Sequence, residues 1–181
     1  MKLEFEYGHG TMAANLPDNT DVFIAGETVK DPDHIPEDKL EEAYLTALAN
    51  PIGMPTLSEL AHKGSTVTII VPDRIKGGEH ATSHRKLSIK YILKELYSVG
   101  VQKKDILFII SNGLHPRSKE SDVKAIFGQE LFDEFYHSGQ IISHDSEDPD
   151  HMVYLGTTHR GDPVYMNKYV YECDIPILIG H

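Results

Sequence analysis

The spacing of apolar residues changes along the chain, and each change predicts an element. Leu3, Phe5 and Tyr7 alternate with charged residues, the two-residue period of a strand with one buried face. Asp21-Val22-Phe23-Ile24-Ala25 is its expected partner after the Leu16-Pro17-Asp18-Asn19 turn, which gives an amino-terminal β-hairpin. Pro36-Glu37-Asp38 opens a segment in which Leu40, Ala43, Tyr44, Ala47 and Leu48 recur at helical spacing, with proline and acids at the start as helix amino termini favour. A second short helix is expected after Pro55, through Leu57, Leu60 and Ala61.

From residue 67 onward, short apolar runs alternate with amphipathic ones. Val67-Thr68-Ile69-Ile70-Val71 predicts a buried strand, followed by a helix carrying Leu87, Tyr91, Ile92, Glu95 and Leu96 that stops near Gly100. Ile106-Leu107-Phe108-Ile109-Ile110 predicts a second strand, and two helices follow over 118–127 and 129–136. Further short strands are expected at Ile141-Ile142-Ser143, Met152-Val153-Tyr154-Leu155, Val164-Tyr165-Met166 and 175–179. Strands that are apolar on both faces and alternate with helices define an α/β fold, here one domain over 1–181: a mostly parallel sheet with helices on both faces, plus the hairpin. The strands carrying Ile69, Ile109 and Ile177 should be parallel in one sheet.

In such sheets ligands collect at the carboxyl edge, where loops converge and helix amino termini offer free N–H groups. Three polar clusters fall at such places. Asp73-Arg74-Ile75-Lys76-Gly77-Gly78 combines glycines and two cations suited to a phosphate or carboxylate, though a solvated loop has the same composition. Asn112-Gly113-Leu114-His115-Pro116-Arg117-Ser118 puts His115 above the sheet edge, either as a base or as a surface histidine, with Ser118 as a helix cap. Gly156-Thr157-Thr158-His159-Arg160-Gly161 precedes the strand ending in Asn167-Lys168, where a lysine is either functional or simply solvated.

Charge and cysteine content narrow the partners. Twenty-eight acidic against seventeen basic residues give a net charge of −11, which opposes binding to a polyphosphate backbone, so no nucleic acid partner is expected. The single Cys173 excludes an internal disulfide and fits a reducing, cytoplasmic setting. No apolar run is long enough for a signal peptide or a membrane span, so no membrane partner is expected. Eleven histidines invite a metal reading, yet no His-x-x-x-His helix or cysteine pair supports a zinc site, and His80 with His84 matches such spacing weakly.

Taken in order, Asn50-Pro51-Ile52-Gly53, the Asp73 loop, Asn112-Gly113-Leu114-His115, His144-Asp145, Met152-Val153-Tyr154-Leu155-Gly156 and Gly161-Asp162-Pro163-Val164-Tyr165-Met166-Asn167-Lys168 resemble the amino-terminal domain of the lactate racemase family across the whole chain. The resemblance implies one half of a two-domain enzyme with the active site between the domains. It implies a nickel-pincer nucleotide cofactor, a nickel-bearing pyridinium mononucleotide joined to a lysine through a thioamide, and Lys168 resembles that lysine. Asp73, Asn112 and Gly113 match cofactor-binding positions, and Lys76 and Arg74 substrate-binding ones. The implied reaction is racemisation or epimerisation of a 2-hydroxy acid by proton-coupled hydride transfer, with a base on each side of the reacting carbon. His115 resembles the first base, and a side chain with an unperturbed pKa of about 6.5 can accept and return a proton at neutral pH. For the second, His159 is favoured over His144. Enzymes that synthesise the cofactor are implied partners, and a homo-oligomer is compatible.

Three departures qualify the match. Lys76 stands where the family commonly has an arginine that grips the substrate carboxylate, and a lysine lacks the bidentate fork. Pro116 replaces the arginine that usually follows the histidine, with Arg117 displaced by one. By register, His181 is the histidine before the nickel ligand, so no metal ligand is expected within this chain and the isolated piece is expected to be inactive. Two other readings stand beside the enzyme: a non-catalytic domain holding a nucleotide or small molecule through the Asp73 and Gly156 loops, and a metal-dependent hydrolase, for which the sequence lacks a compact histidine and carboxylate triad.

Overall fold

A computed structural model describes residues 1–24, 26–30, 34–76 and 83–180. The chain separates into two compact units, Met1–Glu37 and Asp38–His181. In the first, β1 (Lys2–Tyr7) and β2 (Gly10–Asn15) form an antiparallel hairpin. The hairpin was expected, but its partner strand is not 21–25. Gly8, at φ +56°, and His9 form a two-residue turn with glycine first, so the chain reverses at once and Tyr7 pairs with Gly10. The hydroxyl of Thr28 instead folds residues 22–28 locally, accepting from Ile24 N and donating to Val22 O. Ala25 lies outside the described residues.

The second unit opens with α1 (Leu40–Ala49) and α2 (Leu57–Leu60) and continues through β3 (Val67–Pro72), α3 (Arg85–Ser98), β4 (Ile106–Ser111), α4 (Glu120–Phe127), α5 (Gln129–Phe135) and β5 (Ile141–Ser143). It closes with β6 (Met152–Thr157), β7 (Pro163–Asn167), α6 (Lys168–Glu172) and β8 (Ile175–Leu178). Four strands form one sheet in the order β5-β4-β3-β8, every neighbour parallel. Ile69, Ile109 and Ile177 therefore lie on parallel strands of one sheet, as their apolar runs predict. The expected strands at 152–155 and 164–166 stand outside it as an antiparallel ribbon, β6 with β7. Their connection is too short for a parallel crossover, which needs a dozen or more residues, and the Thr158 hydroxyl closes it by accepting from the N–H groups of Arg160 and Asp162.

Packing fixes the sheet from one side. Val67, Ile69 and Val71 of β3 and Ile106, Phe108 and Ile110 of β4 alternate onto a single face and are buried against α3, α4 and α5. Phe108 meets Phe127 and Phe135 edge to face, with centroids 5.2 and 5.0 Å away. The helix α3 ends where expected because Gly100 adopts φ +92°, which lets Gly100 N donate to Tyr97 O and Val101 N to Leu96 O, satisfying two terminal carbonyls. On the other face Thr68 Oγ1 donates to Tyr169 O of α6, 2.8 Å away. Asp174 accepts from Thr66 N and Thr66 Oγ1, tying the starts of β3 and β8 together. Ser118 is not the cap of α4; the helix begins at Glu120, and Asp122 accepts from Lys119 N. Among the described residues no helix is long and apolar enough to cross a membrane.

Candidate active site

Parallel pairing of β3 with β4 sets Pro72 opposite Ser111, so the loops that follow the two strands leave the sheet side by side. Asp73, directly after Pro72, is 4% exposed. Its Oδ2 lies 2.6 Å from Nδ1 of His115, whose side chain is 37% exposed. A buried carboxylate thus holds one nitrogen of a histidine that solvent still reaches. With Asp73 ionised, Nδ1 carries the proton and donates it, which leaves a lone pair on Nε2.

The loop that presents His115 is itself fixed. His115 N donates to Asn112 O at 2.9 Å, the Asn112 amide donates back to His115 O at 3.0 Å, and Gly113 turns the chain at φ +55°. Asn112 is buried, and its Oδ1 has no hydrogen-bond partner among the described residues. A buried acceptor left unpaired is costly, so Oδ1 marks a place for a donor from a ligand or water.

Behind Asp73 lies Arg85, 1% exposed, at the first turn of α3. Its guanidinium donates to Pro72 O (3.0 Å), Asp73 O (2.9 Å) and Lys76 O (2.6 Å). Burial pushes the pKa of Arg85 down, and the neighbouring charge of Asp73 opposes that shift. Neither Arg85 nor its contacts figured in the sequence reading. Arg74 reaches away to Asp122 of α4, with Nε 3.0 Å from Oδ1, while Lys76 is exposed. Gly77, Gly78 and His80 lie outside the described residues, as does His181.

His144 follows β5 and is anchored to the end of β4, where its N–H donates to Ile110 O. Its Nδ1 lies 3.1 Å from the amide nitrogen of Asn167. Asn167 Oδ1 accepts from Tyr169 N and caps α6, so the amide's NH2 faces His144. Nδ1 of His144 is therefore an acceptor, and the ring proton of the neutral form sits on Nε2, the reverse of His115. Lys168, half-buried, is the first residue of α6 and the immediate neighbour of Asn167. His159 is not brought to this group: it is exposed in the turn at the far end of the ribbon, and β6, six residues long, spans about 17 Å at roughly 3.3 Å per residue. Nearby, the backbone N–H of Glu147 and the ion pair with Arg117 hold the Asp145 carboxyl below its ordinary value.

A parallel sheet with helices, and a histidine hydrogen-bonded to a buried aspartate at its carboxyl edge, define the class as an α/β domain of the kind whose loops converge at that edge. Within that class the chain belongs to the lactate racemase N-terminal domain family, whose pattern matches residues 7–181. It is 26% identical over 179 residues to the lactate racemase of Thermoanaerobacterium thermosaccharolyticum, covering 98% of this chain and 39% of that protein. To the lactate racemase of Lactiplantibacillus plantarum it is 27% identical over 140 residues, covering 77% of this chain and 31% of that one. The chain thus spans well under half the length of either relative. The structure of the Thermoanaerobacterium lactate racemase apoprotein shares the fold, with a TM-score of 0.62 at 23% identity over 98% of this chain and 38% of that one.

Proposed function

We propose that this chain is the amino-terminal, cofactor-bearing half of a racemase or epimerase acting on a lactate-like 2-hydroxy acid. The observation that carries the reading is the 2.6 Å contact between Asp73 and His115. Nε2 of His115 accepts the hydroxyl proton of the substrate, and the ionised Asp73 steadies the imidazolium that results. On returning the proton, His115 is ready for the next turnover. His144 is better placed than His159 for the second proton-transfer position, because Asn167, the residue beside Lys168, holds its ring. Lys76 meets the substrate carboxylate as a point charge, since Arg74 is engaged with Asp122 and Arg85 with backbone carbonyls.

The chain's residues fit a nickel-pincer nucleotide. Lys168 offers a half-buried amine for thioamide attachment, Asn112 Oδ1 is a buried acceptor still wanting a donor, and Asp73, Asn112 and Gly113 lie in the two loops that flank the site. When bound, the cofactor supplies a reversible acceptor for the hydride on the hydroxyl-bearing carbon. Among the described residues no group of three or more histidine, cysteine or acidic side chains could hold a metal ion. Enzymes that synthesise the cofactor would be partners, and a second domain would complete the site.

The test uses the full-length enzyme carrying this sequence, made alongside the cofactor-synthesis enzymes. His115→Ala should keep the covalent cofactor mass and lose turnover by roughly 10²–10⁴-fold, the range for a general base. Retained turnover in that variant would contradict the assignment.

A further inference from the structure

Arg85 is a fully buried cation that the proposed chemistry leaves without a task. Most arginines at helix starts are solvated, and a positive charge at a helix amino terminus works against the helix dipole. Here the guanidinium is withdrawn from water and divided among three carbonyls of a single loop, those of Pro72, Asp73 and Lys76. Each bond is to backbone, and Asp73, the middle of the three, is the residue whose carboxylate meets His115. Arginine can do this because its planar fork carries several donors in fixed directions; lysine presents one ammonium with no fork. Its guanidinium is also the positive charge next to a carboxylate only 4% exposed, where an unbalanced anion is costly.

We infer that Arg85 is the positioning residue of the Asp73–His115 pair, clamping the loop after β3 so that the Asp73 carboxylate stays within hydrogen-bonding reach of Nδ1. Among the described residues, the hydrogen bonds of Arg85 go to the backbone carbonyls of Pro72, Asp73 and Lys76, so it acts on the pair through the loop that carries Asp73. Arg85 holds Asp73 O at 2.9 Å, and Asp73 Oδ2 lies 2.6 Å from His115 Nδ1. The consequence of this clamp for turnover rests on the proposed role of His115 as a base.

The experiment is proton NMR of the protein carrying this sequence, reading the downfield Nδ1–H signal of His115, assigned by its loss in His115→Gln. In Asp73→Asn, with Arg85 intact, the signal should vanish. In Arg85→Lys it should move upfield and broaden, because charge is kept and the clamp is not; in Arg85→Met it should disappear while the methyl spectrum of the core stays native. Should Arg85→Met fail to fold, Arg85→Lys decides alone. An unmoved His115 signal in either folded variant overturns the inference, whatever becomes of turnover. In the loaded enzyme Arg85→Lys should lower kcat by less than the roughly 10²–10⁴-fold expected for removing the base itself. A native signal with reduced turnover would overturn the positioning role while leaving the base assignment intact.

Discussion

The β3–β4 frame and the β6–β7 ribbon carry the two halves of the candidate site, and they are built in opposite ways. In the frame, Ile69, Val71, Phe108 and Ile110 are buried, and the polar residues at its edge, Asp73, Arg85 and Asn112, are buried with them. In the ribbon, Tyr154, Leu155, Val164, Tyr165 and Met166 are all exposed. Tyr154 and Tyr165 touch across the strands at 5.4 Å between centroids, yet neither is covered. Leu114, beside His115, is fully exposed as well. The Asp73–His115 pair is thus held by packing that this chain supplies itself, whereas the strand leading to Lys168 leaves its apolar side chains exposed. Under the proposed function the second domain of the enzyme covers these exposed apolar side chains.

That contrast can be broken by mutation. Phe108→Ala removes a ring enclosed by Phe127 and Phe135 and should destabilise the protein by about 3–5 kcal/mol in chemical denaturation. Met166→Ser in the ribbon should change stability by about 0.5 kcal/mol or less. Comparable losses from the two would show that the ribbon is packed as tightly as the frame and would remove the contrast.

A smaller effect sharpens the junction between the regions. Asn167→Ala loses the cap of α6 and should cost about 1 kcal/mol. Asn167→Asp keeps an acceptor for Tyr169 N but presents a carboxylate to His144, so the histidine must donate from Nδ1. Nitrogen NMR should then show the His144 tautomer reversed or the ring protonated; an unchanged tautomer would mean that Asn167 does not set it.

The smallest effect concerns the edge strand. The backbone N–H of Thr66, then its hydroxyl, hold the Asp174 carboxyl below its ordinary value. A group with a lowered folded pKa stabilises the protein above its unfolded pKa of roughly 3.9 and loses that contribution as pH falls through the folded value. Asp174→Ala should therefore melt at a lower temperature than the native protein at neutral pH, and the gap should close in acid. A gap that widens on acidification would refute the linkage.

What the sequence made legible follows the same division. The runs around Ile69 and Ile109 read directly as parallel strands because residues on both faces are buried or partly buried and leave little alternation to misread, whereas β8 joins them in parallel with Pro176 and Leu178 exposed. The hairpin partner was misread because Val22, Phe23 and Ile24 have higher strand propensity than Thr11, Ala13 and Ala14; the glycine-first turn at Gly8 outweighed it. Asp73 and His115 were placed at one sheet edge by topology, but their contact depends on the parallel pairing that sets Pro72 opposite Ser111. His159 and His144 could not be ranked from spacing, since the ribbon carries one away from Lys168 and Asn167 holds the other beside it. Arg85 did leave a signal: it shares the apolar face of α3 with Ile89, Ile92 and Leu96, and a cation on that face is buried for a reason.

The central claim is that Lys168 carries the cofactor, and intact mass spectrometry of the full-length enzyme made with the cofactor-synthesis enzymes tests it most directly. Arginine keeps the charge at this position but has no amine to acylate. The account predicts a covalent mass increment on the native protein that is absent from both Lys168→Arg and Lys168→Ala, with racemase or epimerase turnover lost in step. The same increment and undiminished turnover in Lys168→Arg would contradict it.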